Sequence, residues 1–259
     1  MDNMVENRFE IEKFYDNLSE SWDKTRPEYT QEIFRKITFR LDKNSSYSIF
    51  DFGCGTGLLC EFISDNFSNV KIEGIDISGQ MIEKAKTNCL NCNFYVGDVF
   101  SINLPNYDVI ISKDVFNHIK NIPLTISRLN DLLNSKGNLI IANREREQNT
   151  KDEIVKTLET LNYEISTEYH SFKPTKQEID SFIEILPNFK EDHKNIIKRK
   201  LENSDKYYII FADKKRHASA NFSDRFNSID ERKLNKDFYG SLYLIQTSKQ
   251  IGLLLLLLF

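Results

Sequence analysis

The stretch that most constrains this chain is residues 48–57, Ser-Ile-Phe-Asp-Phe-Gly-Cys-Gly-Thr-Gly. Ile49, Phe50 and Phe52 make a short apolar run suited to a strand buried on both faces, as in a parallel sheet. Gly53, Gly55 and Gly57 then crowd the strand's exit. A turn this rich in glycine lets the backbone approach a ligand where any Cβ would collide. Residues 58–67 read as a helix, so the N–H groups at its start face whatever sits on the turn. The competing reading is a tight strand-to-helix turn with no ligand.

The segments that follow repeat one plan. Residues 70–76, Val-Lys-Ile-Glu-Gly-Ile-Asp, read as a second strand ending in the carboxylate Asp76, about 20 residues after the turn. Ser78 is placed to cap a helix with Met81, Ile82 and Ala85 on one face. Residues 94–99 read as a third strand with Asp98 at its end, and residues 107–112 as a fourth, followed by Lys-Asp-Val-Phe-Asn-His-Ile. Residues 129–133 close a helix, residues 135–137 turn, and residues 138–142 form a fifth strand. Polar groups thus gather at the carboxyl ends of the strands, where open α/β sheets bind their ligands.

Two cofactor families use such a layout. The dinucleotide fingerprint Gly-x-Gly-x-x-Gly fails because its last position is Leu58. Gly53-x-Gly55-x-Gly57, with Asp51 two residues ahead, resembles instead the first motif of the class I S-adenosylmethionine-dependent methyltransferases, in their small-molecule, type 11/25-like group. The resemblance covers residues 9–214. It implies an α/β fold: a Rossmann-like seven-stranded sheet, mostly parallel with an antiparallel last strand, and helices on both faces. An N-terminal helical lid and a helical insertion before the last strand complete it. It also implies S-adenosyl-L-methionine as co-substrate, held by Tyr15, Arg26, Asp51, Gly53, Cys54, Gly55, Gly57, Asp76, Ile77, Met81, Asp98, Val99 and Lys113. By the same resemblance Asp76 receives the ribose hydroxyls, Asp98 the adenine amino group, and Val99 lies near the adenine ring. Tyr15 would cover the cofactor and Arg26 meet its carboxylate; for both, plain packing or surface roles stay open.

Methyl transfer from a sulfonium needs a nucleophile held in line and kept from water, with little covalent help. His118 is the only titratable group just after the fourth strand with a natural general-base pKa, and is the catalytic candidate; a packing or hydrogen-bonding role is the alternative. Ser112-Lys-Asp-Val stands where enzymes that methylate amino groups of nucleic-acid bases carry Asp/Asn-Pro-Pro-Tyr. No Pro-Cys nucleophile of the cytosine-C5 type is present, nor recognisable paired glutamates of arginine methyltransferases. The net charge of −4 gives no global attraction to nucleic acid or anionic membrane. A small diffusible acceptor is therefore expected rather than nucleic acid. Oxygen, nitrogen and carbon acceptors stay open, as does the oligomeric state. An RNA-modifying enzyme and a catalytically silent cofactor-binding regulator are the alternatives.

The 259 residues suit one α/β core with appendages: a helical lid over 1–42, the core over 43–213, a helical cap insertion within 173–205, and an extension over 214–259. Residues 7–41 look helical, with a break opening at Ser19. Residues 143–149 read as a solvated charged loop, 151–161 as an amphipathic helix, and 163–172 and 206–213 as the last two strands. Residues 177–186 and 191–201 read as the helices of the cap. Cys54, Cys60, Cys89 and Cys92 are expected as free thiols of a reduced, cytoplasmic protein, because the Cys89-x-x-Cys92 pair has no second pair for zinc and does not follow a first strand. The first residues lack the order of a signal peptide, and the apolar 251–259 run is too short to span a membrane, which takes about 20 such residues.

Overall fold

The computed structural model describes residues 2–23, 28–145, 148–184, 194–195, 198 and 205–215. Helices α1 (Asp2–Trp22) and α2 (Thr30–Thr38) precede the sheet. Strand β1 (Ser46–Phe52), helix α3 (Leu58–Asn66), β2 (Asn69–Asp76), α4 (Gly79–Asn88) and β3 (Asn93–Val96) form the first half. Strand β4 (Tyr107–Lys113), a short 3-10 turn (Phe116–His118), α5 (Ile122–Asp131), β5 (Leu133–Arg144), α6 (Gln148–Thr160), β6 (Tyr163–Phe172), α7 (Lys176–Glu184) and β7 (Asp205–Lys214) complete it.

The seven strands lie in the order β3-β2-β1-β4-β5-β7-β6. Neighbours from β3 through β5 pair in parallel, and β7 runs antiparallel to both β5 and β6. The expected sheet is therefore the observed one. Its strand order reverses between β1 and β4, which opens a crevice at the carboxyl ends of those two strands.

The apolar run of β1 is buried on alternate sides. Phe50 joins Ile110, Ile141 and Tyr208 beneath α5 and α6, whereas Ile49 joins Ile111 and Ala142 beneath α2 and α3. Phe50 stacks on Tyr107 with centroids 4.8 Å apart, a pairing worth about 1 kcal/mol beyond the area it buries.

Three expectations are corrected. Helix α1 does not break at Ser19; that hydroxyl donates to the Asp16 carbonyl at 2.9 Å, a local bond that a helix tolerates. The expected turn at residues 135–137 is instead part of β5, which pairs with β4 across a register shift between Tyr107 and Val109. Asn143 and Arg144 are no solvated loop: they end β5, pair with Tyr208 and Tyr207, and Asn143 is fully buried. Helix α7 matches the first cap helix. Of the second, residues 194, 195 and 198 are helical and the others lie outside the described residues, as does the 216–259 part of the extension.

Candidate functional site

The three glycines turn the chain from β1 into α3 through left-handed backbone. Gly53 has φ +77°, and a Cβ there would lie 2.2 Å from Val115 Cγ2. Gly55, at φ +54°, has open space where its side chain would be, so the turn presents bare backbone to the cavity. Asp51 lies in the buried last part of β1 and accepts a bond from Cys60 Sγ at 3.3 Å. Burial pushes its carboxyl up to about 7, a shift that the Cys60 bond and Lys113 oppose and Asp76 reinforces. Burial likewise drives up the Cys54 thiol.

Asp76, at the end of β2, holds the turn directly. Its Oδ2 accepts from the Gly55 N–H and its Oδ1 from the Ser78 N–H, each at 2.9 Å. Burial raises its pKa although these backbone donors work against the shift. Ser78 caps α4 as expected, accepting from the Met81 N–H at 3.1 Å. Asp98 lies two residues past β3 and accepts from the Phe100 N–H at 3.0 Å. Ile77, Met81, Asp98 and Val99 all line the same cavity, with Met81 and Val99 nearly inaccessible.

Helix α1 closes over this half. Asp16 accepts from Ser78 Oγ at 2.5 Å and from the Gln80 N–H at 3.2 Å, pinning α1 to the start of α4. At its end Asp23 accepts from Thr56 Oγ1, inside the glycine turn, at 2.6 Å. Tyr15 lines the cavity beside Trp22, their rings edge to face at 5.6 Å. Arg26 lies outside the described residues.

The other half of the cavity is built at the ends of β4, β5 and β7. Asp114 sits in left-handed backbone, φ 61°, a conformation a non-glycine residue holds only where its surroundings fix it. Its carboxylate accepts from Lys113 Nζ at 2.5 Å, Tyr207 Oη at 2.9 Å and the Arg144 N–H at 3.2 Å. Arg144 Nε donates to Tyr207 Oη at 2.8 Å. Lys113, Asp114, Val115, His118 and Arg144 line the cavity here, as do Glu178, Ile179 and Phe182 of α7. Arg144 escaped the sequence reading because a charged pair after an apolar strand looks like a loop; the signal lay in its place at a strand's carboxyl end, which Lys113 shares.

One cavity of about 440 Å³ joins both halves. It brings together Tyr15, Asp51, Gly53, Cys54, Gly55, Asp76, Ile77, Met81, Asp98, Val99, Lys113 and His118; Gly57 supports the turn from below, against Ala85 and Phe94. An adenosyl sulfonium fits what is present: bare backbone at Gly55, the carboxyls of Asp51 and Asp76 near the strand ends, and apolar walls. Cys89 and Cys92, expected as free thiols, are joined in a disulfide, their Cα atoms 5.4 Å apart. The turn from the end of α4 into β3 brings the two side chains face to face, so cysteine usage no longer argues for a reducing compartment. Cys54 and Cys60 are free and buried. Among the described residues no helix is long and apolar enough to cross a membrane.

The chain is similar to known proteins in three ways. It is 30% identical over 142 residues to the malonyl-[acyl-carrier protein] O-methyltransferase of Bacillus anthracis, a match covering 52% of this chain and 53% of that one. The chain thus spans about half the length of the curated relatives it matches. Its fold is similar to that of the N-methyltransferase NodS from Bradyrhizobium japonicum WM9, solved with S-adenosyl-L-homocysteine, at a TM-score of 0.57 and 11% identity over 79% of this chain and 99% of that one. It is similar also to the [4+2]-cyclase SpnF, at a TM-score of 0.56 and 15% identity over 73% and 81% of the two chains. The methyltransferase domain model matches residues 43–212. With well over half its length inside that match, and with the sheet order and glycine turn described above, the chain belongs to the methyltransferase domain family.

Proposed function

We propose that this protein moves a methyl group from S-adenosyl-L-methionine to a small-molecule acceptor by in-line displacement. The observation that carries the proposal is the single cavity in which the glycine turn, Asp76 and Asp98 on one side face Lys113, His118 and Arg144 on the other. When bound, the co-substrate supplies an activated methyl on a sulfonium. The chain's part is to hold and orient. Gly53, Gly55 and Gly57 admit the ligand to the backbone, Asp76 offers its remaining lone pairs to ribose hydroxyls, and Asp98 and Val99 flank the adenine. Tyr15 and Trp22 exclude water from above. His118 takes the acceptor's proton, the Tyr15 hydroxyl at Nε2 fixing the imidazole.

The domain reading follows this division: residues 1–42 as lid, 43–213 as core, and α7 with its neighbours as an acceptor-side cap. Lys198 pairs with Asp180 of α7, which ties part of residues 191–201 to that cap. The relatives' names favour an oxygen acceptor. Lys113 and Arg144 at the acceptor end suit one that carries negative charge, as a malonyl thioester does. Transfer of labelled methyl from S-adenosylmethionine into a fractionated metabolite extract tests the proposal. Label in a small molecule, without the steep inverse salt dependence of polyanion binding, is expected. Label in RNA with a steep inverse salt dependence would move the acceptor to nucleic acid, and binding without turnover would leave a silent regulator.

A further inference from the structure

The Cys89–Cys92 pair joins the two elements on which the glycine turn rests. Cys89 ends α4, its N–H bonded to the Ala85 carbonyl at 2.9 Å, and Cys92 immediately precedes β3. A Cβ on Gly57 would lie 2.9 Å from Ala85 Cβ on α4 and 3.1 Å from Phe94 Cζ on β3, so the turn is seated on both. Asn88, next to the pair, makes a second connection. Its Nδ2 donates to the Thr56 carbonyl at 2.9 Å and to Asp23 Oδ2 at 3.2 Å, bridging the glycine turn and the end of the lid. The loop itself faces solvent: Leu90 is 85% exposed, and Cys92 is the half-buried member of the pair.

We propose that Cys89 and Cys92 are a reversible thiol–disulfide modification site that sets how firmly the glycine turn and the lid close over the cleft. Two thiols and one low-molecular-weight disulfide exchange: the Cys92 thiolate opens the reagent's S–S bond and releases one thiol, then Cys89 attacks the Cys92 sulfur of the mixed disulfide and releases the second, so the reagent leaves as two thiols carrying both electrons and both protons. The closed pair fixes the spacing of Ala85 and Phe94 beneath Gly57 and holds Asn88 against Thr56 and Asp23. The reduced pair loosens the end of α4, and with it the seat and the latch. The cofactor arm of the proposal rests on the methyltransferase reading above; the lid arm does not.

The test uses the full chain, oxidised with glutathione disulfide or reduced with dithiothreitol, desalted, and checked by alkylation and peptide mass. Trp22 is the chain's single tryptophan and sits at the lid's end, so its quenching by acrylamide reads lid closure without any cofactor. Weaker quenching in the oxidised form is expected, together with S-adenosylhomocysteine binding about fivefold tighter or better. Cys92→Ser should behave as the reduced chain under both treatments, and Asn88→Ala should form the disulfide yet lose most of the difference. Equal quenching and equal affinity in the two forms would overturn the proposal, as would Cys89 and Cys92 remaining alkylatable after oxidation. Redox-dependent quenching without S-adenosylhomocysteine binding in either form would instead overturn the methyltransferase reading and leave the modification site standing.

Discussion

The Tyr15 hydroxyl lies 3.2 Å from His118 Nε2, joining α1 to the turn after β4 across 103 residues of sequence. The rings meet edge to face at 6.0 Å, so the pair is held by packing as well as by the polar contact. Helix α1 and the candidate base are thereby parts of one unit. Replacing His118 with Asn should lower kcat by about 10²-fold and remove the acidic limb of the pH–rate profile. Tyr15→Phe keeps the ring over the cavity and loses one hydrogen bond, so a fall of roughly fivefold is expected, with S-adenosylhomocysteine affinity little changed. An unchanged profile for the His118 variant would assign it to packing. It would also favour an already ionised acceptor, which needs no base.

Gly53 and Gly55 separate fold from function. Gly53→Ala sets a Cβ against Val115 in left-handed backbone, and should cost about 3 kcal/mol of stability in urea unfolding. Gly55→Ala meets nothing in the protein, so its cost should stay at roughly 1–2 kcal/mol of backbone strain. Its methyl group points into open space at the cavity, and cofactor affinity should fall at least about tenfold. Equal loss of stability in the two variants would argue against the cradle.

Asp51 supplies a pH signature. Its unfolded carboxyl titrates at 3.8 and its folded one at about 7, because burial disfavours the charge. The native chain therefore holds a proton through that interval which the unfolded chain releases. Stability should decline as pH rises from about 4 to about 7 and level off above, and Asp51→Asn should flatten the decline. A cationic guest favours the ionised form, so S-adenosylmethionine should bind more tightly as pH rises through about 7, with proton release visible by calorimetry in buffers of different ionisation enthalpy.

Helix α7 tests the division between cofactor and acceptor. Glu178 Oε2 accepts from the Thr175 N–H at 2.5 Å while its N–H donates to Thr175 Oγ1 at 3.2 Å, a capping box that fixes the start of the helix. Glu178 Oε1 also accepts from the Glu28 N–H at 2.6 Å, linking α7 to the segment between α1 and α2. Phe182→Ala, which removes an apolar wall and leaves that box intact, should raise the acceptor KM about tenfold and leave S-adenosylhomocysteine affinity unchanged. Parallel losses in both would place Phe182 on the cofactor side.

Much of this molecule was legible because its strands are buried on both faces and punctuated by turns. β6 falls on the residues expected of it, and β1, β2 and β4 differ from expectation only at their ends. The glycine spacing with Asp76 and Asp98 marked residues that the fold brings to one cavity, since a carboxylate at a strand's carboxyl end leaves a local mark. What escaped depends on distant partners. Arg144 is set by Asp114 and Tyr207, from β4's exit and β7, and its place at a strand's carboxyl end was the one local mark it carried. Asp114 in left-handed backbone, and Asp23 reaching Thr56, are tertiary facts of the same kind. The Cys89–Cys92 pairing depends on how the chain leaves α4, which cysteine counting does not record.

Titration calorimetry of the folded full chain with S-adenosylmethionine and S-adenosylhomocysteine bears most directly on the whole reading. One site per chain for each ligand, weakened by Gly55→Ala and by Asp76→Ala, is the expected result. A folded chain that takes up neither ligand would contradict it, however closely its sheet follows the family's.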